Sequence, residues 1–212
     1  MSARRAAAAA AAVLLLLARA CAGAPVSLSK TLGDHAVLQR DAAAPPALLW
    51  GFATAGVSVT VSMDGGALLP AATAGADGVW RQALPPTPAG GPPAFLDNAS
   101  DGSSASLADV LFGDVHGCGG QSNMAFTVFS GLNATAEIAA AAAYPRIRVF
   151  TVGQGTASGT ALADLATVSQ PWALASPASV GEGDWSAFSA VCWFYGRTLY
   201  DALGGGVPIG LM

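Results

Sequence analysis

Apolar and polar residues alternate in the first half of the chain and run in blocks in the second. Val57-Ser58-Val59-Thr60-Val61-Ser62 has a period of two, and Ala47-Leu48-Leu49-Trp50-Gly51 is a short apolar run. Turn formers such as Asp64-Gly65-Gly66 and Asp77-Gly78 close such runs. Alternation bounded in this way predicts half-buried antiparallel strands, so residues 23–108 read as a small all-β module. The tract from Leu84 to Pro93 reads as a loop, because proline cannot donate to a ladder.

From Asp109 the grammar changes. Val110 to Val115 is an apolar run suited to a buried strand, Thr135 to Ala143 suits a helix, and Ile147 to Val152 suits a second strand. A longer helix follows, with Ser186 as N-cap and Gly204 as terminator. Its stripe is Phe188, Val191, Cys192, Tyr195, Leu199 and Ala202, at three-to-four spacing. Pro208 to Met212 reads as the next parallel strand, completing a right-handed crossover from the strand at Ile147 to Val152. The expected fold class is therefore α/β: the β-rich module, then the start of a parallel α/β sheet over 109–212.

Apolar residues make up 53% of the chain and charged ones 10%, which excludes a disordered polyelectrolyte. Part of that apolar content belongs to a leader. Met1 to Ala22 has Arg4 and Arg5, an apolar stretch from Ala6 to Ala18, and Ala20-Cys21-Ala22 as a small-x-small cleavage site. It reads as a secretory signal peptide, too short for a membrane span of ~20 residues. Its loss removes Arg4, Arg5 and Arg19 and moves the formal charge from -4 to -7, which disfavours nucleic acid and anionic membrane as partners. The expected destination is the secretory pathway, ending outside the cell or in a lysosome-like compartment. Asn98-Ala99-Ser100 and Asn133-Ala134-Thr135 are glycosylation sequons that fit it. Cys118 and Cys192 would remain, either as a disulfide or, the commoner state for buried cysteine, as free thiols.

The sharpest chemical feature is Gly120-Gln121-Ser122-Asn123-Met124, just after the strand ending at Val115. A serine on a glycine-loosened turn at a strand's carboxyl end can expose its hydroxyl while its own N–H faces a developing oxyanion. Spacing alone favours a polar loop after a strand, and Met124 stands where the α/β-hydrolase elbow has glycine. His35 reads as a surface or strand-edge residue. His116 lies six residues before Ser122, about 20 Å away if the chain between them is extended. Asp114 is expected to bond to backbone near the turn, and Glu182 and Asp184 to be solvated. Neither cysteines nor histidines have zinc-ligand spacing, so no metal and no cofactor are expected.

Val110-Leu111-Phe112-Gly113-Asp114-Val115 followed by Cys118-Gly119-Gly120-Gln121-Ser122-Asn123-Met124 resembles the first block of the sialate O-acetylesterases of the SGNH hydrolase superfamily, whose pattern is close to G-D-V-W-x-C-S-G-Q-S-N-M. Val37-Leu38-Gln39, Trp50-Gly51, Asn133-Ala134-Thr135, Ser189 to Arg197 and Pro208-Ile209-Gly210-Leu211 resemble the same family in the same order. The resemblance implies an SGNH-type sheet, Ser122 as nucleophile and Gly120, Gln121 and Asn123 as its supporting turn. It also implies an acetylated carbohydrate, above all an O-acetylated sialic acid, as substrate. In that family a later glycine and asparagine complete the oxyanion hole, and an Asp-x-x-His pair near the carboxyl terminus supplies base and acid. No position here matches them, so the chain reads as the amino-terminal portion of such an enzyme. His116 replaces the usual tryptophan, and Gly119 the usual serine. Two other readings stay open: a non-catalytic secreted carbohydrate-binding or vestigial protein, and an esterase for acetylated plant-type polysaccharide. Oligomeric state is not legible.

Overall fold

The computed structural model describes residues 23–40, 46–91, 93–181, 183 and 187–212. The stretch 1–22 read as a leader lies outside the described residues, as do Glu182, Asp184 and Ser186. The first eight strands are β1 (Ser27–Leu28), β2 (Val37–Gln39), β3 (Leu48–Phe52), β4 (Ser58–Met63), β5 (Ala72–Thr73), β6 (Val79–Ala83), β7 (Phe95–Ala99) and β8 (Ser104–Leu107). Seven of them form two antiparallel sheets, ordered β1-β3-β6 and β5-β4-β7-β8. Leu49 and Trp80 from the first sheet and Val59, Val61, Phe95 and Leu107 from the second share one core. The alternating residues thus bury one face per strand, as period two requires.

The eighth strand, β2, leaves these sheets. It pairs parallel with β9 (Leu111–His116), Val37 opposite Leu111 and Gln39 opposite Gly113. With β10 (Ile147–Val152), β11 (Val168–Leu174) and β12 (Ile209–Leu211) it forms a sheet ordered β11-β10-β12-β9-β2. The chain on either side of residue 109 therefore shares a sheet. The neighbours β10, β12, β9 and β2 are parallel, whereas β11 lies antiparallel on the edge. The runs read as strands at 110–115, 147–152 and 208–212 are β9, β10 and β12. Strand β11 was not anticipated, because Pro171 interrupts it and Trp172 is its one buried residue. An edge position tolerates both.

Close approach fixes the middle of the sheet. The Asp114 amide donates to the Pro208 carbonyl at 2.9 Å, and a Cβ on Gly113 would overlap that same oxygen. On one face lie α1 (Ala134–Ala140), continued by a tight turn over 141–143, α2 (Pro177–Gly181) and α3 (Ala190–Ala202). Gly196 of α3 lets Leu211 of β12 come close, since a Cβ there would overlap the leucine methyls.

Two readings of α3 need correction. It is capped by Ser189, whose hydroxyl accepts from the Cys192 amide at 3.3 Å, and Phe188 precedes the helix. A bridge between Thr127 and Ser189 keeps the chain extended up to that point. The buried face is also rotated. Cys192, Trp193 and Gly196 are inside, while Val191 and Tyr195 remain half exposed at 50% and 48%. The Trp193 indole takes the core position, edge-on to Tyr144 at 5.8 Å. Leu203 and the left-handed Gly204 end the helix as expected.

Candidate active site

Strands β9, β10 and β12 are mutually parallel, so their carboxyl ends open on one edge, where open α/β sheets place reactive groups. A cleft of about 970 Å³ lies there. Residues 117–122 after β9 form one wall, residues 151–156 at the end of β10 another, and Ala187, Phe188 and Ser189 before α3 a third, with Met212 also lining it.

Ser122 is exposed on the first wall. Among the described residues its hydroxyl has no hydrogen-bond partner, and its backbone N–H has no acceptor. The Met124 and Ala125 amides donate to the Gln121 carbonyl at 2.8 and 3.3 Å, and Ala125 also reaches the Ser122 carbonyl at 3.1 Å. These bonds make a compact turn with Ser122 at its crest. Gly120 packs closely beneath it, since a Cβ there would stand 3.0 Å from Met124 Cβ, a tight contact. Gln121 lines the cleft, whereas Asn123 is exposed beside it and contributes its carbonyl to the Phe126 amide at 3.4 Å.

Four contacts anchor this loop. Cys118 and Cys192 form a disulfide with Cα atoms 5.9 Å apart, the first of the two states that the sequence left open. The Cys118 amide donates to the Met212 carbonyl at 2.6 Å, Ser189 Oγ donates to Met124 Sδ at 3.2 Å, and the Ala190 amide donates to the Phe126 carbonyl at 2.8 Å. The turn is thereby clamped between β12 and the start of α3.

The histidines lie elsewhere. His116 Nδ1 sits 3.2 Å from the Tyr195 hydroxyl, with the rings edge-on at 5.2 Å, and its buried Nε2 has no partner among the described residues. His35 Nδ1 pairs with Asp109 at 2.7 Å, before the start of β9 and so at the edge opposite Ser122. Buried Arg148 pairs with the same carboxylate at 2.6 Å. Burial pulls Asp109 upward, but the bonds from Arg148 and His35 outweigh it and hold its carboxyl below the usual range. Asp114 does not bond to backbone near the turn through its side chain. It makes a two-point ion pair with Arg40, at 2.8 and 3.2 Å, because β2 brings that arginine alongside β9.

Asn98 is exposed on β7, and Asn133 is exposed as the left-handed N-cap of α1. Among the described residues there is no group of three His, Cys, Asp or Glu side chains placed to hold a metal, and no helix is long and apolar enough to cross a membrane. Thr151, Gln154 and Thr156 are cleft residues that the sequence reading passed over. Their signal was available: they lie at or just beyond the carboxyl end of a parallel strand.

Ser122 thus stands exposed at the carboxyl ends of the parallel strands, where open α/β sheets carry their reactive groups. No protein-family model matches the chain. A solved carbohydrate acetylesterase from Xanthomonas citri superposes with a TM-score of 0.75 at 33% identity, over 89% of this chain and 39% of that one. Sialate O-acetylesterase of Rattus norvegicus is 37% identical over 205 residues, 92% of this chain, and that of Homo sapiens 36% over 199 residues, 90% of this chain. The chain is a relative of the sialate O-acetylesterases, and it spans 37% of the length of each of these two.

Proposed function

We propose that the chain carries the nucleophile of a secreted carbohydrate O-acetylesterase acting on O-acetylated sialic acids. Ser122 Oγ attacks the acetyl carbonyl, a base takes its proton, and the turn's N–H groups receive the oxyanion. The same proton then passes to the sugar oxygen as the ester bond breaks, leaving an acetyl-serine. Water deprotonated by the base attacks that ester and releases acetate, restoring the hydroxyl.

One observation carries this reading: the Ser122 hydroxyl is exposed and unengaged in a cleft at the carboxyl ends of the sheet. The names of the relatives support the carbohydrate ester as substrate. The leader at residues 1–22 and the Cys118–Cys192 disulfide support an oxidising, secretory environment. The base comes from outside the described residues, in keeping with the Asp-x-x-His pair that the family resemblance implies. A second reading, a carbohydrate-binding or vestigial chain without turnover, is favoured by the engagement of both histidines away from Ser122, His116 with Tyr195 and His35 with Asp109. The test is a chimaera in which residues 23–212 replace the matching stretch of the Rattus norvegicus relative. Acetate release from an O-acetylated sialic acid is expected, and its loss on Ser122→Ala; release unaffected by that change would overturn the proposal.

A further inference from the structure

The loop after β10 lines the same cleft as the nucleophile turn, and its backbone is tied to the segment at Thr167. The Gly153 amide donates to the Thr167 carbonyl at 2.9 Å. A Cβ on Gly153 would overlap Thr167 Oγ1, so only glycine lets the two segments meet. Thr156 Oγ1 lies 3.3 Å from Thr167 Oγ1, and Gly155 has a φ of +74°. Between the two glycines stands Gln154, exposed and lining the cleft, with no hydrogen-bond partner for its carboxamide among the described residues. Thr151 lines the same wall with a buried hydroxyl that also lacks a partner.

Charge sharpens the picture. Among the described residues that line the cleft, none is Lys, Arg, His, Asp or Glu. A carboxamide is both donor and acceptor, which suits vicinal sugar hydroxyls, and it carries no charge with which to select an anionic sugar over a neutral one. We propose that Gln154 is a substrate-binding residue of this cleft, its carboxamide holding ring hydroxyls of the acetylated carbohydrate whose ester Ser122 faces. This rests on the esterase reading above and adds that this part of the cleft grips the sugar ring without reading its charge.

The test is binding, so it needs no turnover. The 212-residue chain carrying Ser122→Ala is titrated by NMR with an O-acetylated neutral methyl hexoside and with O-acetylated N-acetylneuraminic acid. Adding Gln154→Ala should weaken both by about tenfold, the scale of one lost hydrogen bond. Adding Gln154→Glu should weaken the anionic sugar several-fold more than the neutral one, a split that a merely loosened loop would not produce. Unchanged affinity for both sugars in Gln154→Ala overturns this proposal alone, as does equal weakening of both by Gln154→Glu. If the chain without a Gln154 change binds neither sugar, the carbohydrate reading itself falls.

Discussion

Cys118 and Cys192 join the loop that carries Ser122 to the first turn of α3, across 74 positions of sequence. That bond is the covalent member of a set of contacts that also includes Ser189 with Met124 and Ala190 with Phe126. Its position suggests two roles for it: limiting the unfolded chain and holding the turn in register with the cleft.

Removing the disulfide should therefore cost stability. A Cys118→Ala/Cys192→Ala variant is expected to unfold with about 2–5 kcal/mol less free energy than the parent, measured by urea titration. An unshifted midpoint would mean that the bond does not constrain the chain.

Asp97 sits in the middle of β7 at 0% exposure, between Val61 and Ala105, and neither carboxylate oxygen has a partner among the described residues. Its neighbours on that face, Phe95 and Ala99 on β7 itself and Val59, Val61, Met63, Ala105 and Leu107 across the strands, carry no titratable group. Burial pushes its carboxyl up to about 6 from an ordinary 3.8. The folded chain thus keeps this proton to higher pH than the unfolded chain does. Stability is fullest below pH ~4 and is lost as pH rises through about 6. Asp97→Asn should add on the order of 3 kcal/mol at pH 7.5 and almost nothing at pH 4, by urea titration at both values. An equal effect at the two pH values would contradict the assignment.

The glycines of the motif differ sharply in what they tolerate. Gly113→Ala would drive a methyl into the Pro208 carbonyl and should cost about 1–3 kcal/mol as β9 and β12 part. Gly119 faces open space, with no atom within 4 Å of where a Cβ would stand, so Gly119→Ser, which restores the family residue, should leave the melting temperature unchanged. Thermal unfolding of the two variants side by side checks both statements.

His116 is engaged with Tyr195, and the Ser122 hydroxyl has no partner among the described residues. The 212-residue chain alone should therefore hydrolyse a chromogenic acetate ester no faster than its Ser122→Ala variant. A clear Ser122-dependent rate would make His116 a base after all.

Much of the α/β half was legible because β9, β10 and β12 are short apolar runs with turn residues at their ends. What escaped had physical reasons. The helix α3 has Val191, Cys192, Trp193, Phe194, Tyr195, Leu199 and Tyr200 around most of its circumference, so periodicity could not choose its buried face. Strand β2 is three residues long and finds its partner 74 positions away, which also hid the pairing of Arg40 with Asp114. Pro171 masked β11. The Ser122 turn was visible as a motif, whereas Gln154 was marked only by its place after a strand. Position of that kind gains meaning once parallel neighbours show which sheet edge is the open one.

If Ser122 is the nucleophile, the acetyl group must pass through it covalently. Acid-quenched turnover of the chimaera with an O-acetylated sugar, followed by peptide mass spectrometry, reads that intermediate. An acetyl group is expected on the peptide containing Ser122 and should be absent in Ser122→Ala. Acetate released with that serine never acetylated, or with the acetyl carried on another residue, would refute the role given to Ser122.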